Sequence, residues 1–303
     1  MSQIASDSQQ RGLSTDASSD ARQSTTEDSK RSRQISTACT NHDVVINKEQ
    51  VLDVLSFRGS DNKKDINECL KYAEISGHEK AQLAVLTRED AFQDWLKDDR
   101  QSSALVIHGN LDNDDENSPT SYLAAQIGKR YHKKRGFIVL SWFCGLNTDD
   151  NEAAIMARLI GQLLSQATQL LAPEDFNFIS RHEYKKLKQR DLKTLISVFS
   201  NIIQKLRSKR IVVFCLVDSI STYETSNLRK DTEKLVEFLR DLVRSTRRRS
   251  REEMRHELIF KLLISDGQSS ELAVKYFKDR EIMEIDDGVD TDVDSDASLV
   301  DSD

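Results

Sequence analysis

The sequence is short of several things at once. It has only 2 prolines and 10 glycines in 303 residues, and aromatic side chains make up 6%. Collagen-like, coiled-coil and disulfide-scaffold compositions are therefore excluded. No apolar run approaches the ~18 residues of a membrane helix, so no span of a bilayer is expected. The first thirty residues hold no apolar core, so no secretory signal peptide is expected either. The 4 cysteines, Cys39, Cys69, Cys144 and Cys215, include no CxxC pair, and the 6 histidines show no metal-ligand spacing. Cys144 and Cys215 sit in apolar runs, as buried thiols of a reducing compartment do. An intracellular protein is the expectation, cytoplasmic or nuclear.

Apolar residues amount to 37% of the chain, below the globular norm of about 45–50%, which points to segments outside the core. Residues 1–45 are rich in Ser, Thr, Asp and Gln, and residues 286–303 hold eight Asp and no base. Both read as disordered tails, because neither can bury enough surface to offset chain entropy. The formal net charge is −7, but it is unevenly placed. The acidic tail contributes −8, residues 1–45 contribute −1, and residues 46–285 carry 37 acids against 39 bases.

The body shows an alternation of patterns. Near-continuous apolar runs occur at Ala104–Ile107, Phe137–Phe143, Ile211–Val217 and Leu258–Ile264, with a weaker fifth at Glu281–Ile285. Such runs are the mark of parallel strands buried on both faces. Between them lie helical periods, such as Leu235, Phe238, Leu239, Leu242 and Val243. The expected fold is α/β: a three-layer P-loop-NTPase-like domain over 101–285 with a mainly parallel five-stranded sheet. A mostly helical lead-in over 46–100 precedes it and ends in Phe92, Trp95 and Leu96.

In such sheets ligands bind beyond the carboxyl ends of the strands. The loop after the first run begins at Gly109 and occupies the place of a phosphate-binding loop. That chemistry needs a second glycine, a lysine and a hydroxyl. The corresponding positions hold Asp114, Asp115 and Glu116, and residues 110–117 contain four acids and no base. Like charges ~4 Å apart repel by about 4 kcal/mol at an effective dielectric of 20, so this loop is the wrong sign for phosphate. The third run ends in Asp218, in the manner of a magnesium-site strand, but Ser219 follows where a catalytic acid is usual. Glu224 is the next carboxylate downstream.

Taken in order, VLDVLSF (51–57), FQDWL (92–96), ALVIHGN (104–110), SPTSYLAAQIG (118–128), VLSWFCG (139–145), IGQLLSQ (160–166), VVFCLVDSIS (212–221) and FKLLISD (260–266) resemble the P-loop domain of fungal STAND/NACHT proteins, the nephrocystin-like group. The resemblance implies a nucleotide-driven switch in signalling or self-recognition. It would place a vestigial nucleotide site at Gly109, Ser121 and Asp218, with Ser121 standing in for the missing hydroxyl. The Walker A lysine has no counterpart. The expectation is a pseudo-NTPase, an interaction or regulatory module with a protein partner, no catalytic residue and no cofactor. The alternative is an NTPase switch that uses ATP and magnesium with an unorthodox loop and a base borrowed from elsewhere, such as Lys129. A further candidate is the basic cluster containing Arg244, Arg247, Arg248, Arg249, Arg251 and Arg255. It reads first as a solvated helix end and second as an anion or nucleic-acid contact.

Overall fold

In the computed structural model, residues 46–71, 77–109, 118–225, 227–247 and 257–285 are described. Both tails, the acidic loop 110–117, Arg248, Arg249 and Arg251 lie outside the described residues.

The lead-in forms four helices: α1 (Lys48–Val54), α2 (Gly59–Lys71), α3 (Gly77–Arg88) and α4 (Asp90–Lys97). Asn47 opens α1 with a capping box shared with Gln50. The alternating region follows as β1 (Ser103–His108), α5 (Pro119–Tyr131), β2 (Phe137–Phe143), α6 (Glu152–Gln166), α7 (Arg181–Lys188), α8 (Leu192–Leu206), β3 (Val212–Asp218), α9 (Arg229–Thr246), β4 (Ile259–Asp266), α10 (Glu271–Tyr276) and β5 (Ile282–Glu284). The sheet has the order β2-β3-β4-β1-β5, and every pairing is parallel.

The apolar runs are continuous because both faces of the sheet are covered. Along β3, Val213, Cys215 and Val217 join one core with α6, α8 and α9, while Phe214 and Leu216 join a second with α2 to α5. The same alternation separates Ala104 and Val106 from Leu105 and Ile107 on β1. Trp142 is buried in the first core and Trp95 in the second. The Trp95 indole packs between Phe92 and Phe214 and donates to the Leu262 carbonyl at 3.1 Å. Cys69, Cys144 and Cys215 are buried free thiols. Burial pushes the Cys215 thiol up to about 12, so it is inert.

β5 is shorter than expected. It pairs only with Val106, Ile107 and His108, the last three residues of β1. The amino-terminal half of β1 is thus uncovered on that side, leaving a notch at the sheet edge. Among the described residues no helix is long and apolar enough to cross a membrane.

Candidate functional site

Three strands end in polar residues at one rim of the sheet, His108, Asp218-Ser219 and Ser265-Asp266, and β2 ends beside them in the buried Phe143-Cys144. Helix α5 starts at the same rim. Ser118 is its N-cap, and its hydroxyl accepts from the Ser121 N–H at 3.2 Å. Pro119 occupies the first turn, where its missing N–H costs nothing.

The third residue of that helix, Ser121, turns its hydroxyl onto Asp218. Ser121 Oγ donates to Asp218 Oδ2 at 2.7 Å, Ser219 Oγ to the same oxygen at 3.0 Å, and Ser265 Oγ to Oδ1 at 2.7 Å. Three hydroxyls from three segments thus satisfy one buried carboxylate. Burial nonetheless outweighs them and raises the Asp218 carboxyl to about 6, with Asp266 adding to the rise. Ser219 holds a left-handed backbone at φ 55°, which turns the chain sharply after the strand. Asp266 is tied down in turn by the Ser221 N–H at 2.7 Å, the Ser221 hydroxyl at 2.8 Å and the Gln268 N–H at 3.1 Å. Its carboxyl is also raised, chiefly by burial.

Gly109 has a local reason to be glycine. Its N–H donates to the Asp266 carbonyl at 2.7 Å. A Cβ there would stand 2.7 Å from the Gly267 carbonyl oxygen and 3.2 Å from that of Asp266, so two backbones pass too closely for any side chain. Glu224, the nearest carboxylate after Asp218, is a helix cap: it accepts from the N–H groups of Glu271 at 3.0 Å and Leu272 at 3.3 Å. His108 is buried with Nε2 lacking a partner among the described residues, and burial lowers its pKa.

The structure therefore brings Ser121 and Asp218 into contact and sets Gly109 beside Asp266. Arg247 is not near them; it caps the far end of α9. Two participants escaped the reading of the sequence, Ser265 and Asp266. Their signal was the polar pair ending an otherwise wholly buried strand, a mirror of Asp218-Ser219 on the neighbouring strand.

A family model described as nephrocystin 3, N-terminal, matches residues 83–271. The chain belongs to that family. The nephrocystin 3 N-terminal match runs from α3 to the first residue of α10, so it contains Gly109, Ser121, Asp218 and Asp266. No curated protein and no solved structure gives a significant match.

A P-loop enzyme holds magnesium through a hydroxyl and a strand-end aspartate, and holds phosphate through a lysine and backbone amides. Ser121 and Asp218 have the right donor chemistry for the first half. For the second half, no lysine stands at the motif's position in the sequence. The charged neighbours acting most on Asp218 and Asp266 are carboxylates, Asp266 and Glu224 respectively; residues 110–117, outside the described residues, contain four acids and no base in the sequence. Among the described residues no group of three or more His, Cys, Asp or Glu is placed to hold a metal ion.

Proposed function

We propose that this chain is a non-catalytic, P-loop-like module of the STAND/NACHT type that acts by binding a protein partner or by regulation. The carrying observation is the satisfied carboxylate at Asp218: a hydroxyl triad engages both of its oxygens, and the charged group that acts on it is another acid, Asp266. A polyphosphate entering that rim meets the strand-end carboxylates Asp218 and Asp266, and the sequence that joins β1 to α5 contains four acids and no base. Lys129 does not supply the missing cation. It lies in the last turn of α5, about 12 Å along the axis from Ser121, farther than a lysine side chain extends.

The test is calorimetric titration of the full chain with ATP, ADP, GTP and GDP in magnesium, beside a hydrolysis assay. The expected outcome is no magnesium-dependent binding and no hydrolysis above background. Micromolar binding together with hydrolysis lost in Asp218→Ala would overturn the reading. One observation favours the second reading, a nucleotide switch with an unorthodox loop. The Ser121–Asp218 contact is the pairing that such a switch uses for its metal. A base donated by a partner chain is then required, so activity should emerge only on mixing the two.

A further inference from the structure

The opposite rim of the sheet has the opposite character. Where β5 stops short, a cleft of about 380 Å³ opens between α4, the start of β1, the end of α9 and the turn before β5. Five cations line it: Arg100, Arg244, Arg247, Lys278 and Arg280. They come from three separate stretches of chain, so only the fold gathers them. Three acids also line it, Asp94, Asp98 and Glu281, leaving an excess of two positive charges. Two of those acids are already engaged. Asp98 accepts from the Arg100 backbone at 2.9 Å and its guanidinium at 3.3 Å, and Glu281 accepts from the Lys278 N–H at 3.1 Å. Arg247, Lys278 and Arg280 are exposed and form no ion pair among the described residues.

A sixth cation lies behind the wall. Lys261, on the fully buried strand β4, is 1% exposed, and its ammonium donates to the hydroxyl of the cleft residue Ser103 at 2.9 Å. A buried ammonium is costly unless something negative faces it. Its hydrogen-bond partner is that neutral hydroxyl, which also opens on the cleft; Asp98 and Asp99 are the carboxylates whose charge acts on it, and Asp98 is already shared with Arg100.

From this gathering of four arginines and a lysine, three of the five without an ion pair among the described residues, over a buried lysine, we infer that the notch beside β5 is a binding site for a compact, phosphate-rich small molecule. Arginine outnumbers lysine four to one on the rim, and the guanidinium fork matches phosphate oxygens two at a time. The volume lies in the small-molecule range. A duplex or a membrane would lie across the rim and leave the recess and Lys261 untouched. The site is separate from the Ser121–Asp218 rim, so it stands whether or not the reading of that rim does.

The test is calorimetric titration of the full chain with inorganic tripolyphosphate and, in a second arm, with myo-inositol hexakisphosphate, both without magnesium. The two arms separate a linear polyphosphate from a ring of phosphates as the source. Arg247→Glu with Arg280→Glu, both exposed, should weaken binding at least tenfold while leaving the melting temperature within the wild-type error. Lys185→Glu with Lys188→Glu, equally basic and exposed on α7, should change it less than twofold, as should Ser121→Ala with Asp218→Asn. Equal losses in the two charge-reversed pairs would mean unspecific charge attraction, and a loss in Ser121→Ala with Asp218→Asn would place the binding at the other rim; either would overturn the inference. So would no binding at millimolar anion, or tighter Arg247- and Arg280-dependent binding to duplex DNA or to anionic vesicles than to either small anion.

Discussion

At the carboxyl ends of the strands the chain keeps carboxylates, hydroxyls and a short N-capped helix, closely hydrogen-bonded. At the amino ends it keeps five cations around an open cleft, with a lysine buried behind them. A phosphate-binding α/β domain carries positive charge at the first of these rims. Here the described residues place carboxylates at that rim and cations at the other, in an all-parallel sheet covered by helices on both faces as in such a domain. The lesson is that the scaffold and the charge placed on it are separable. Ser121 and Asp218 sit where the fold puts them, but their neighbours determine what they can hold.

The comparison can be broken hardest at the amino rim. Trp95 both walls the cleft and fills the second core against Phe92 and Phe214. Trp95→Ala should cost about 3–5 kcal/mol by loss of burial and the cavity left behind. Chemical denaturation checks this, and an effect below 1 kcal/mol would detach the cleft from the core.

Next come the two buried charges, whose pH dependences should sit on opposite sides of neutrality. The Asp218 carboxyl lies at about 6 rather than 3.8. The folded chain therefore binds more protons than the unfolded chain between those values, and stability falls as pH rises through that window. Asp218→Asn should remove this slope and stabilise the protein at pH 7 by on the order of 1–3 kcal/mol. The serine hydroxyls can rotate to pair with the amide. Lys261 lies at about 8 rather than 10.5, through burial. The unfolded chain binds more protons between those values, so stability rises with pH there. Lys261→Met should flatten that alkaline rise and stabilise at pH 7 by a similar 1–3 kcal/mol. Melting curves from pH 4 to pH 10 separate the two, and identical profiles in both variants would contradict the assignment.

Smaller effects sharpen the carboxyl rim. Gly109→Ala forces its Cβ against the Gly267 carbonyl and should cost about 1–3 kcal/mol, the usual range for overpacking. Glu224→Ala uncaps α10 and should cost about 1 kcal/mol. Neither should alter tripolyphosphate binding at the other rim.

Much of this was legible from the residues. Runs such as IVVFCLV and LIFKLLI announced strands covered on both faces, and Phe214 facing one core while Cys215 faces the other is the physical reason. Ser121 and Asp218 were set in one site by the family resemblance, and the structure shows the contact between them. Ser265 was not legible, because the adjacency of β3 and β4 is a property of strand order, which no local pattern encodes. The cleft was hidden for the same reason. Arg100, Arg247 and Arg280 are distant in sequence, and only the shortness of β5 exposes the space between them. Lys261 was masked inside an apolar run, where one cation passes as noise. The basic run at 185–190 shows the converse: Arg190 is used locally, donating to the Leu55 carbonyl at 2.7 Å and so pinning the end of α1.

The reversed polarity is tested most directly by titrating the full chain and Asp218→Asn with ATP, each with and without magnesium. The account predicts that the wild type and Asp218→Asn give the same heat under each magnesium condition, and that magnesium, by neutralising phosphate charge, weakens any binding rather than enabling it, because such binding arises at the arginine-lined rim. Micromolar binding that requires magnesium and disappears in Asp218→Asn would contradict it.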